Sequence, residues 1–276
     1  MADWSSAQYL KFRAQRTQPA RDLAAMITAD PREVREVIDI GCGPANSTAV
    51  LLERFPLAHV TGADNSADML ERARASCPKA DFIGLDAGGD ISAYNGRYDV
   101  VFSNACIQWI PDHAALIPRL FALLREGGTL AVQVPMNYDE PVHRIVRRLT
   151  ESGRWAGLRG VRTLHTLAQG EYFDILSALT EHFELKQITY LHRMPSAESI
   201  LEWYRGTGLR PYLEALSPEE AAEFEREVLT QIRREYPPQK NGELIFRFPR
   251  LLFMAQKCGA RVSAELEKPT GEQEEI

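Results

Sequence analysis

A glycine-containing turn with an acidic residue in front of it is the feature of this sequence best suited to chemistry. An apolar run leads through Asp39, Gly41, Cys42 and Gly43 to Asn46, where a helix is expected to begin. Glycines let backbone approach a ligand closely, and a helix start presents free N–H groups to polar or anionic atoms. The third glycine of a dinucleotide fingerprint is missing, because Asn46 takes its place. The turn therefore predicts a ligand site but does not favour NAD.

Further polar residues follow the next three predicted strands. Asp64 ends the second strand, about 20 residues beyond the turn, where a carboxylate accepts both ribose hydroxyls. Asp86 follows the third strand and either accepts a hydrogen bond from an adenine amino group or only caps a helix. Asn104, Gln108 and Trp109 follow the fourth strand at the expected switch point of the sheet. Together these residues predict a nucleoside site at one edge of a sheet.

The elements that must position these residues alternate in the first half of the chain. The predicted strands are residues 34–40, 58–63, 81–85, 98–103 and 129–134. The predicted helices are residues 46–54, 66–76 and 112–124, the last of them stopped by Gly127 and Gly128. A first helix over residues 9–29, with a break before Pro19, precedes them. This alternation predicts an α/β fold with helices on both faces of a parallel sheet.

The alternation ends after Pro135. Helices are predicted over residues 140–150 and 163–179, and strands over residues 183–194 and 244–256. Between those strands lies a mostly helical stretch, residues 196–234, which is expected to break at Gly206, Gly208, Pro211 and Pro218. The expected fold is a doubly wound, seven-stranded, mostly parallel sheet with a helical lid inserted at about residues 195–240.

The expected domain organisation has three parts. Residues 1–30 form an N-terminal helical cap, residues 31–262 form the main domain with its lid, and residues 263–276 form an acidic, disordered tail. A single core of this size needs no disulfide or metal staple.

Composition excludes several classes of function. The chain has 276 residues, 45% of them apolar and 25% charged, and a net charge of -6. The absence of a basic run disfavours nucleic acid as a partner, and the apolar stretches are too short for a membrane span.

The four cysteines form no CxxC pair and lie near no His at zinc-ligand spacing, so no metal is expected. Reduced thiols and the lack of a signal peptide favour the cytoplasm, and the sequence does not indicate an oligomeric state.

Four segments, in this order and at these spacings, resemble the motifs of the class I methyltransferase family: Asp39-Ile-Gly41-Cys-Gly43-Pro44, Asp64, Asp86 and Tyr98-Asp99-Val-Val. The resemblance covers roughly residues 34–134 and departs from many members at Ala45, where they carry another glycine. It implies S-adenosylmethionine as the cofactor. Asp39 then either orients the glycine loop through backbone N–H bonds or reaches the methionine amino group. The implied cofactor-binding residues are Arg16, Asp39, Gly41, Cys42, Gly43, Asn46, Asp64, Asn65, Met69, Asp86, Ala87 and Asn104.

A closer resemblance extends over nearly the whole chain. The segments Tyr9-Leu-x-Phe12, Ile107-Gln-Trp-Ile-Pro-Asp112, Thr207-Gly-Leu-Arg-Pro211 and Phe248-Pro-Arg-Leu resemble the trans-aconitate 2-methyltransferase family. This resemblance implies a small-molecule polycarboxylate substrate and methyl transfer to one carboxylate of trans-aconitate. The implied substrate-binding residues are Gln108, Trp109, Tyr204, Arg205 and Arg210.

Several of these residues keep a second interpretation. Arg16 binds a carboxylate of cofactor or substrate, or forms a surface salt bridge. Arg210 is expected to clamp a substrate carboxylate, because arginine binds carboxylates bidentately, or it lies on the surface. Trp109 packs at the pocket mouth. The isolated histidines His143, His165 and His192 are read as structural.

A carboxylate nucleophile needs no strong base, because it is ionised at neutral pH. The sequence therefore predicts an enzyme without a catalytic base, whose rate comes from positioning and from exclusion of water. The alternative within the same class is an N- or C-methyltransferase for another metabolite, whose pocket would be acidic or aromatic. An NAD-dependent oxidoreductase and a non-catalytic cofactor-binding module are the alternatives outside it.

Overall fold

A computed structural model describes residues 13–151, 153–161 and 164–258. The side chains of Arg13, Ala14, Arg16 and Thr207 lie outside this description. The expected tail at residues 263–276 and the expected start of the first helix at residues 9–12 also lie outside it.

One seven-stranded sheet forms the centre of the molecule. Its strands are β1 (Glu36–Ile40), β2 (His59–Asp64), β3 (Asp81–Gly84), β4 (Tyr98–Asn104), β5 (Leu124–Pro135), β6 (Phe183–Met194) and β7 (Leu244–Gln256). Their order is β3-β2-β1-β4-β5-β7-β6, and β7 alone is antiparallel to its neighbours. The predicted doubly wound, mostly parallel sheet is confirmed. Its switch point lies between β1 and β4, where ligands of such sheets bind.

Helices cover both faces of the sheet and fill the connection between β6 and β7. They are α1 (Arg13–Met26), α2 (Asn46–Arg54), α3 (Ala67–Ser76), α4 (His113–Ala122), α5 (Pro141–Glu151), α6 (Gln169–Leu179), α7 (Ala197–Tyr204), α8 (Arg210–Glu214) and α9 (Pro218–Glu235). Ser66 caps the start of α3, because its hydroxyl accepts a hydrogen bond from the Met69 amide.

The core follows from the alternation of side chains along the buried strands. Ile38 and Val101 point to the face covered by α4 and α6, whereas Val37 and Val100 point to the face covered by α1 and α2. The central strands are apolar on both faces, as expected of parallel strands with helices above and below. This packing fixes the edge of the sheet at which the polar residues gather.

The segment between β6 and β7 packs on α5 and forms a second apolar cluster. Phe224 of α9 and Phe246 of β7 are buried in it, and the Trp155 ring meets Phe224 edge to face at 5.0 Å between centroids. Gly206 and Gly208 do not break the helix here. Residues Arg205–Leu209 instead form a π-helical turn that leads from α7 into α8. Such turns are common at functional sites.

Two helix boundaries differ from the prediction around proline and glycine. The first helix does not break before Pro19, because the turns after it bury Ala20, Leu23 and Ala24. Burial of Leu23 alone stabilises by about 2 kcal/mol, which is close to the roughly 3 kcal/mol that an interior proline costs. Gly127 and Gly128 do not stop a helix, because α4 ends at Ala122 and both glycines lie inside β5.

A third boundary differs because the predicted helix over residues 163–179 begins only at Gln169. The Ala168 amide donates to the Glu171 carboxylate there, which fixes the first turn. The preceding residues pass over the end of β4, where the His165 amide donates to the Gln108 carbonyl. This stretch is therefore a loop next to the switch point.

Over the described ranges, no helix has the length and apolar character that crossing a bilayer requires. In the same ranges, no group of three His, Cys, Asp or Glu side chains is arranged to hold a metal ion.

His59 joins the first three strands at the amino end of the sheet. Its Nδ1 lies 3.0 Å from a Glu36 carboxylate oxygen, and its Nε2 lies 2.7 Å from an Asp81 carboxylate oxygen. The hydrogen bond to Asp81, followed by that to Glu36, raises the pKa of His59 above its usual 6.5. The imidazolium form is therefore favoured in the folded chain.

We expect this contribution to stability to depend on pH. A raised folded-state pKa means that the stabilisation is complete below about pH 6.5 and is lost as the pH rises through the folded pKa. The difference in unfolding midpoint between the wild type and His59→Gln, measured in urea, should be larger at pH 6 than at pH 8.5. Because all three side chains are substantially exposed, the effect should be small, and equal differences at both pH values would contradict it.

Candidate functional site

The glycine turn after β1 depends on backbone conformations that favour glycine. Gly41 has φ +72° and Gly43 has φ +53°, and Ala45, with φ +72°, precedes the first turn of α2. The amides of Gly41 and Cys42 both donate to the Ala63 carbonyl on β2. A Cβ on Gly41 would lie 2.1 Å from Cys106 Sγ, so the loop after β4 packs directly on the turn. A Cβ on Gly43 would instead meet open space.

Asp64 connects this turn to the end of β2. One carboxylate oxygen accepts the Gly43 amide at 3.0 Å, and the other accepts the Ser66 amide at 2.9 Å. An ionised carboxylate has about four acceptor positions, so these two bonds leave room for ligand hydroxyls. Asp64 lines the large cavity described below, as the sequence predicts for a ribose acceptor.

Asp39 is fully buried behind the turn. One of its oxygens accepts hydrogen bonds of 2.7 Å from the hydroxyls of Ser47 and Thr48 in the first turn of α2. Burial raises the pKa of Asp39 to about 6, although both hydroxyls act in the opposite direction. The other oxygen, Oδ1, has no hydrogen-bond partner among the described residues. Asp39 thus holds the start of α2 through hydroxyl groups and does not line the cavity.

A single cavity of about 1080 Å³ extends from the glycine turn to the segment between β6 and β7. The predicted site residues that line it are Gly41, Gly43, Asn46, Asp64, Asn65, Met69, Asp86, Ala87, Gln108, Trp109, Tyr204 and Arg210. Its volume exceeds that of most pockets for a single small molecule, which suits a cofactor together with a second ligand.

The end of the cavity next to β2 and β3 combines apolar and polar groups. The apolar lining at this end includes Met69, Leu85 and Ile110, and Asp86 lines the same part of the cavity. The Asp86 carboxylate accepts the Gly88 amide at 2.9 Å, and the next helical turn begins only at Ser92. The alternative role of Asp86 as a helix cap is therefore wrong, and its carboxylate faces the cavity from a short turn.

The opposite end is bounded by the β4 loop, α5 and the π-helical turn. Gln108 Nε2 donates to the Ala105 carbonyl at 2.7 Å, while its Oε1 is buried without a hydrogen-bond partner among the described residues. The Tyr204 hydroxyl lies 3.4 Å from His143 Nδ1. Trp109 is half exposed at the mouth of the cavity. This end therefore presents polar groups and one aromatic ring.

Some residues predicted for the site are placed elsewhere. Arg205 lies outside the cavity lining, because its guanidinium forms two hydrogen bonds with Glu225 on α9. Cys42 and Asn104 are close to the turn and the end of β4 but do not line the cavity. Burial raises the pKa of Cys42, which keeps it a neutral thiol. The Arg16 side chain lies outside the described residues.

The structure adds lining residues that the sequence prediction missed. The principal ones are Arg72, Pro135, Asn137, His143, Phe248 and Arg250. His143 was interpreted as structural because it stands alone in the sequence. Phe248 and Arg250 belong to the Phe248-Pro-Arg-Leu segment, whose resemblance was noted, but a strand-like pattern gives no sign of which side chains face a cavity.

Comparison with known proteins agrees with this geometry. A family model described as a methyltransferase domain matches residues 37–128. The YcgJ protein from Bacillus subtilis has a similar fold, with a TM-score of 0.59 at 17% identity, covering 88% of this chain and 100% of that chain. The sheet order, the glycine turn and the strand-end carboxylates define an S-adenosylmethionine-dependent methyltransferase of class I.

Relatives over the full length narrow this assignment. A trans-aconitate 2-methyltransferase of Azoarcus sp. (strain BH72) is 45% identical over 92% of this chain and 99% of its own length. A trans-aconitate 2-methyltransferase of Methylobacterium radiotolerans is 42% identical over 94% of this chain and 100% of its own length. The chain belongs to the trans-aconitate 2-methyltransferase family.

Gly41→Ala tests whether the packing of Cys106 on the turn supports the cofactor site. The added Cβ clashes with Cys106, and an alanine is strained at this positive φ. We therefore expect affinity for S-adenosylhomocysteine to fall at least about tenfold. Calorimetric titration measures this. Gly96→Ala is the matched control, because Gly96 has φ +68° but open space around it. Cys106→Gly should restore part of the loss in Gly41→Ala, and equal affinity of both alanine variants would contradict the packing argument.

Proposed function

We propose that the chain transfers the methyl group of S-adenosylmethionine to one carboxylate of trans-aconitate, giving a monomethyl ester and S-adenosylhomocysteine. The observation that carries this proposal is the continuous cavity, whose lining includes Asp64 and Asp86 after β2 and β3 as well as Arg210 and Arg250. The full-length similarity to trans-aconitate 2-methyltransferases supports it.

The residues of the turn fit the cofactor. The open space at Gly43 leaves room for close approach of a ligand, and Asp64 offers acceptors for the ribose hydroxyls. The first turn of α2 has no side-chain cap at Ala45, so its amides remain suited to the methionine carboxylate. The bound S-adenosylmethionine supplies an electrophilic methyl group on a sulfonium.

The chain's own task is to hold and desolvate a substrate carboxylate. That carboxylate is ionised at neutral pH, so no residue has to remove a proton. The half-exposed Trp109 at the mouth and Phe248 in the wall limit water access to the cavity. Cations and hydrogen-bond donors at the end of the cavity near Arg210 hold the substrate. This positioning lowers the activation barrier to methyl transfer, because the substrate has already lost its orientational freedom.

Arg210 and Gln108 are proposed to contact the substrate from two sides. Arg210 lines the cavity, although its Nε also bonds the Glu214 carboxylate at 2.6 Å and the side chain is half exposed. The side-chain amide of Gln108 is held by its hydrogen bond to the Ala105 carbonyl, and Gln108 lines the same cavity. Tyr204 of α7 is proposed as a third substrate contact. Arg205 is dropped from this set because it pairs with Glu225.

We place this activity in the cytoplasm. The four cysteines, Cys42, Cys77, Cys106 and Cys258, are all free thiols, and disulfides are rare in a reducing compartment. The polycarboxylate is the proposed partner, and no nucleic acid or membrane partner is proposed.

Incubation with methyl-labelled S-adenosylmethionine tests the reaction. Trans-aconitate should accept label far faster than cis-aconitate, isocitrate or citrate, because the three carboxylates must match fixed positions in the cavity. The label should be released by mild base, as expected of an ester. Base-stable label would exclude carboxyl transfer and favour N- or C-methylation, and no transfer to any of the four acids would contradict the proposed substrate.

A further inference from the structure

Arg250 is a buried cation in the wall of the cavity. It lies on β7 opposite Pro135 of β5 and next to Ile188 of β6, and its side chain is 8% exposed. Charged side chains are rarely buried, and one in the wall of a cavity is a candidate to bind a ligand of opposite charge. Arg250 also belongs to the rigid sheet, whereas Arg210 belongs to the segment between β6 and β7.

Two neighbours fix the guanidinium of Arg250. Its Nη1 donates to the side-chain oxygen of Gln133 at 2.9 Å, and its Cζ lies 4.5 Å from the centre of the Phe248 ring. Gln133 is fully buried and neutral, so this hydrogen bond orients the guanidinium without neutralising it. The planar group is therefore held in a defined orientation for a carboxylate.

The other arginines at the cavity differ in exposure and in their partners. Arg72 pairs with Asp68 at 3.2 Å, and Arg210 pairs with Glu214 at 2.6 Å. Both side chains are almost half exposed, so water and salt screen their charges. Because Arg250 is buried, its charge acts through a less polar medium and attracts an anion more strongly. Of these three arginines, Arg250 is the one best placed to recognise an anion strongly.

The surroundings of Arg250 suit an anion rather than a cation. Burial, followed by the positive charge of Arg250, lowers the pKa of His192 to about 4, so His192 is neutral at pH 7. Asn137, His143 and Tyr204 line the same end of the cavity and offer further hydrogen bonds. A ligand carboxylate that reaches this end meets one fixed cation with polar groups around it.

We propose that Arg250 binds a carboxylate of the substrate that does not react, and that Gln133 is the positioning residue that orients it. The pair selects a polycarboxylate and sets which carboxylate faces the cofactor. This inference rests on the proposed function, because it specifies how the same site recognises its acid substrate. An arginine and a carboxylate form paired, charge-assisted hydrogen bonds, whose geometry excludes uncharged analogues.

Binding of three dicarboxylates identifies the group that Arg250 recognises. Itaconate, mesaconate and glutaconate each lack a different one of the three carboxylates of trans-aconitate. Each acid is titrated into protein saturated with S-adenosylhomocysteine, for the wild type and for Arg250→Gln. Trans-aconitate should bind about 30-fold or more weakly to the variant. One dicarboxylate, the one that lacks the recognised group, should lose almost nothing, and the other two should keep the full loss.

Gln133→Glu is a second variant that keeps the buried volume. Gln133 Nε2 has no hydrogen-bond partner among the described residues, so its replacement by oxygen removes no bond seen there. The new carboxylate places a negative charge beside Arg250 that repels a substrate carboxylate, and trans-aconitate should again bind at least about tenfold more weakly. The KM for trans-aconitate should rise more than kcat falls, while the Kd for S-adenosylhomocysteine stays within twofold.

Arg247→Gln is the matched control on the same strand. Arg247 is exposed and pairs with Glu140 at 3.5 Å, so its loss should leave trans-aconitate binding unchanged. Equal losses for all three dicarboxylates in Arg250→Gln, or unchanged trans-aconitate binding in both Arg250→Gln and Gln133→Glu, would overturn the inference. Wild-type protein that makes no ester from trans-aconitate would instead refute the proposed function, so the two failures are distinguishable.

Discussion

The hydrogen bond from the Gly43 amide to the Asp64 carboxylate joins the two parts of the cofactor site. The turn after β1 and the end of β2 must meet for this bond to form, and the parallel pairing of Asp39 with Gly62 sets their register. The bond also requires the left-handed backbone at Gly43. Because Asp64 is oriented by backbone groups alone, its position does not depend on a flexible partner. The proposed recognition of the ribose by Asp64 therefore depends on the geometry of the sheet.

The proposed substrate end of the cavity lies at the same edge of the sheet and is formed largely by later parts of the chain. The segment between β6 and β7 brings Tyr204 and Arg210 over the switch point, and the antiparallel β7 places Arg250 beneath them. The proposed cofactor end thus uses the loops after β1, β2 and β3. The proposed substrate end uses the loop after β4, α5, β7 and the segment between β6 and β7.

The sequence predicted the cofactor end more completely than the substrate end. Asp64 and Gly41 follow strands with strong apolar patterns, so local signals place them at the edge of the sheet. Arg205 was misplaced because the π-helical turn that begins there changes which side chains face inward. Arg250 was missed because its partner, Gln133, is 117 residues away and becomes a neighbour only through strand pairing. The glycines at 127 and 128 resemble a helix stop, yet they belong to a strand.

Calorimetric titration of S-adenosylhomocysteine measures whether the Asp64 carboxylate holds the nucleoside of the cofactor. We expect binding to the wild-type chain and an affinity at least about tenfold lower for Asp64→Ala, because the charged acceptor for the ribose is removed. Asp30→Ala serves as the control, since Asp30 pairs with the exposed Arg32 and neither residue lines the cavity. No binding to the wild type would contradict S-adenosylmethionine as the cofactor, and an unchanged affinity in Asp64→Ala would contradict the role of Asp64 in binding the ribose.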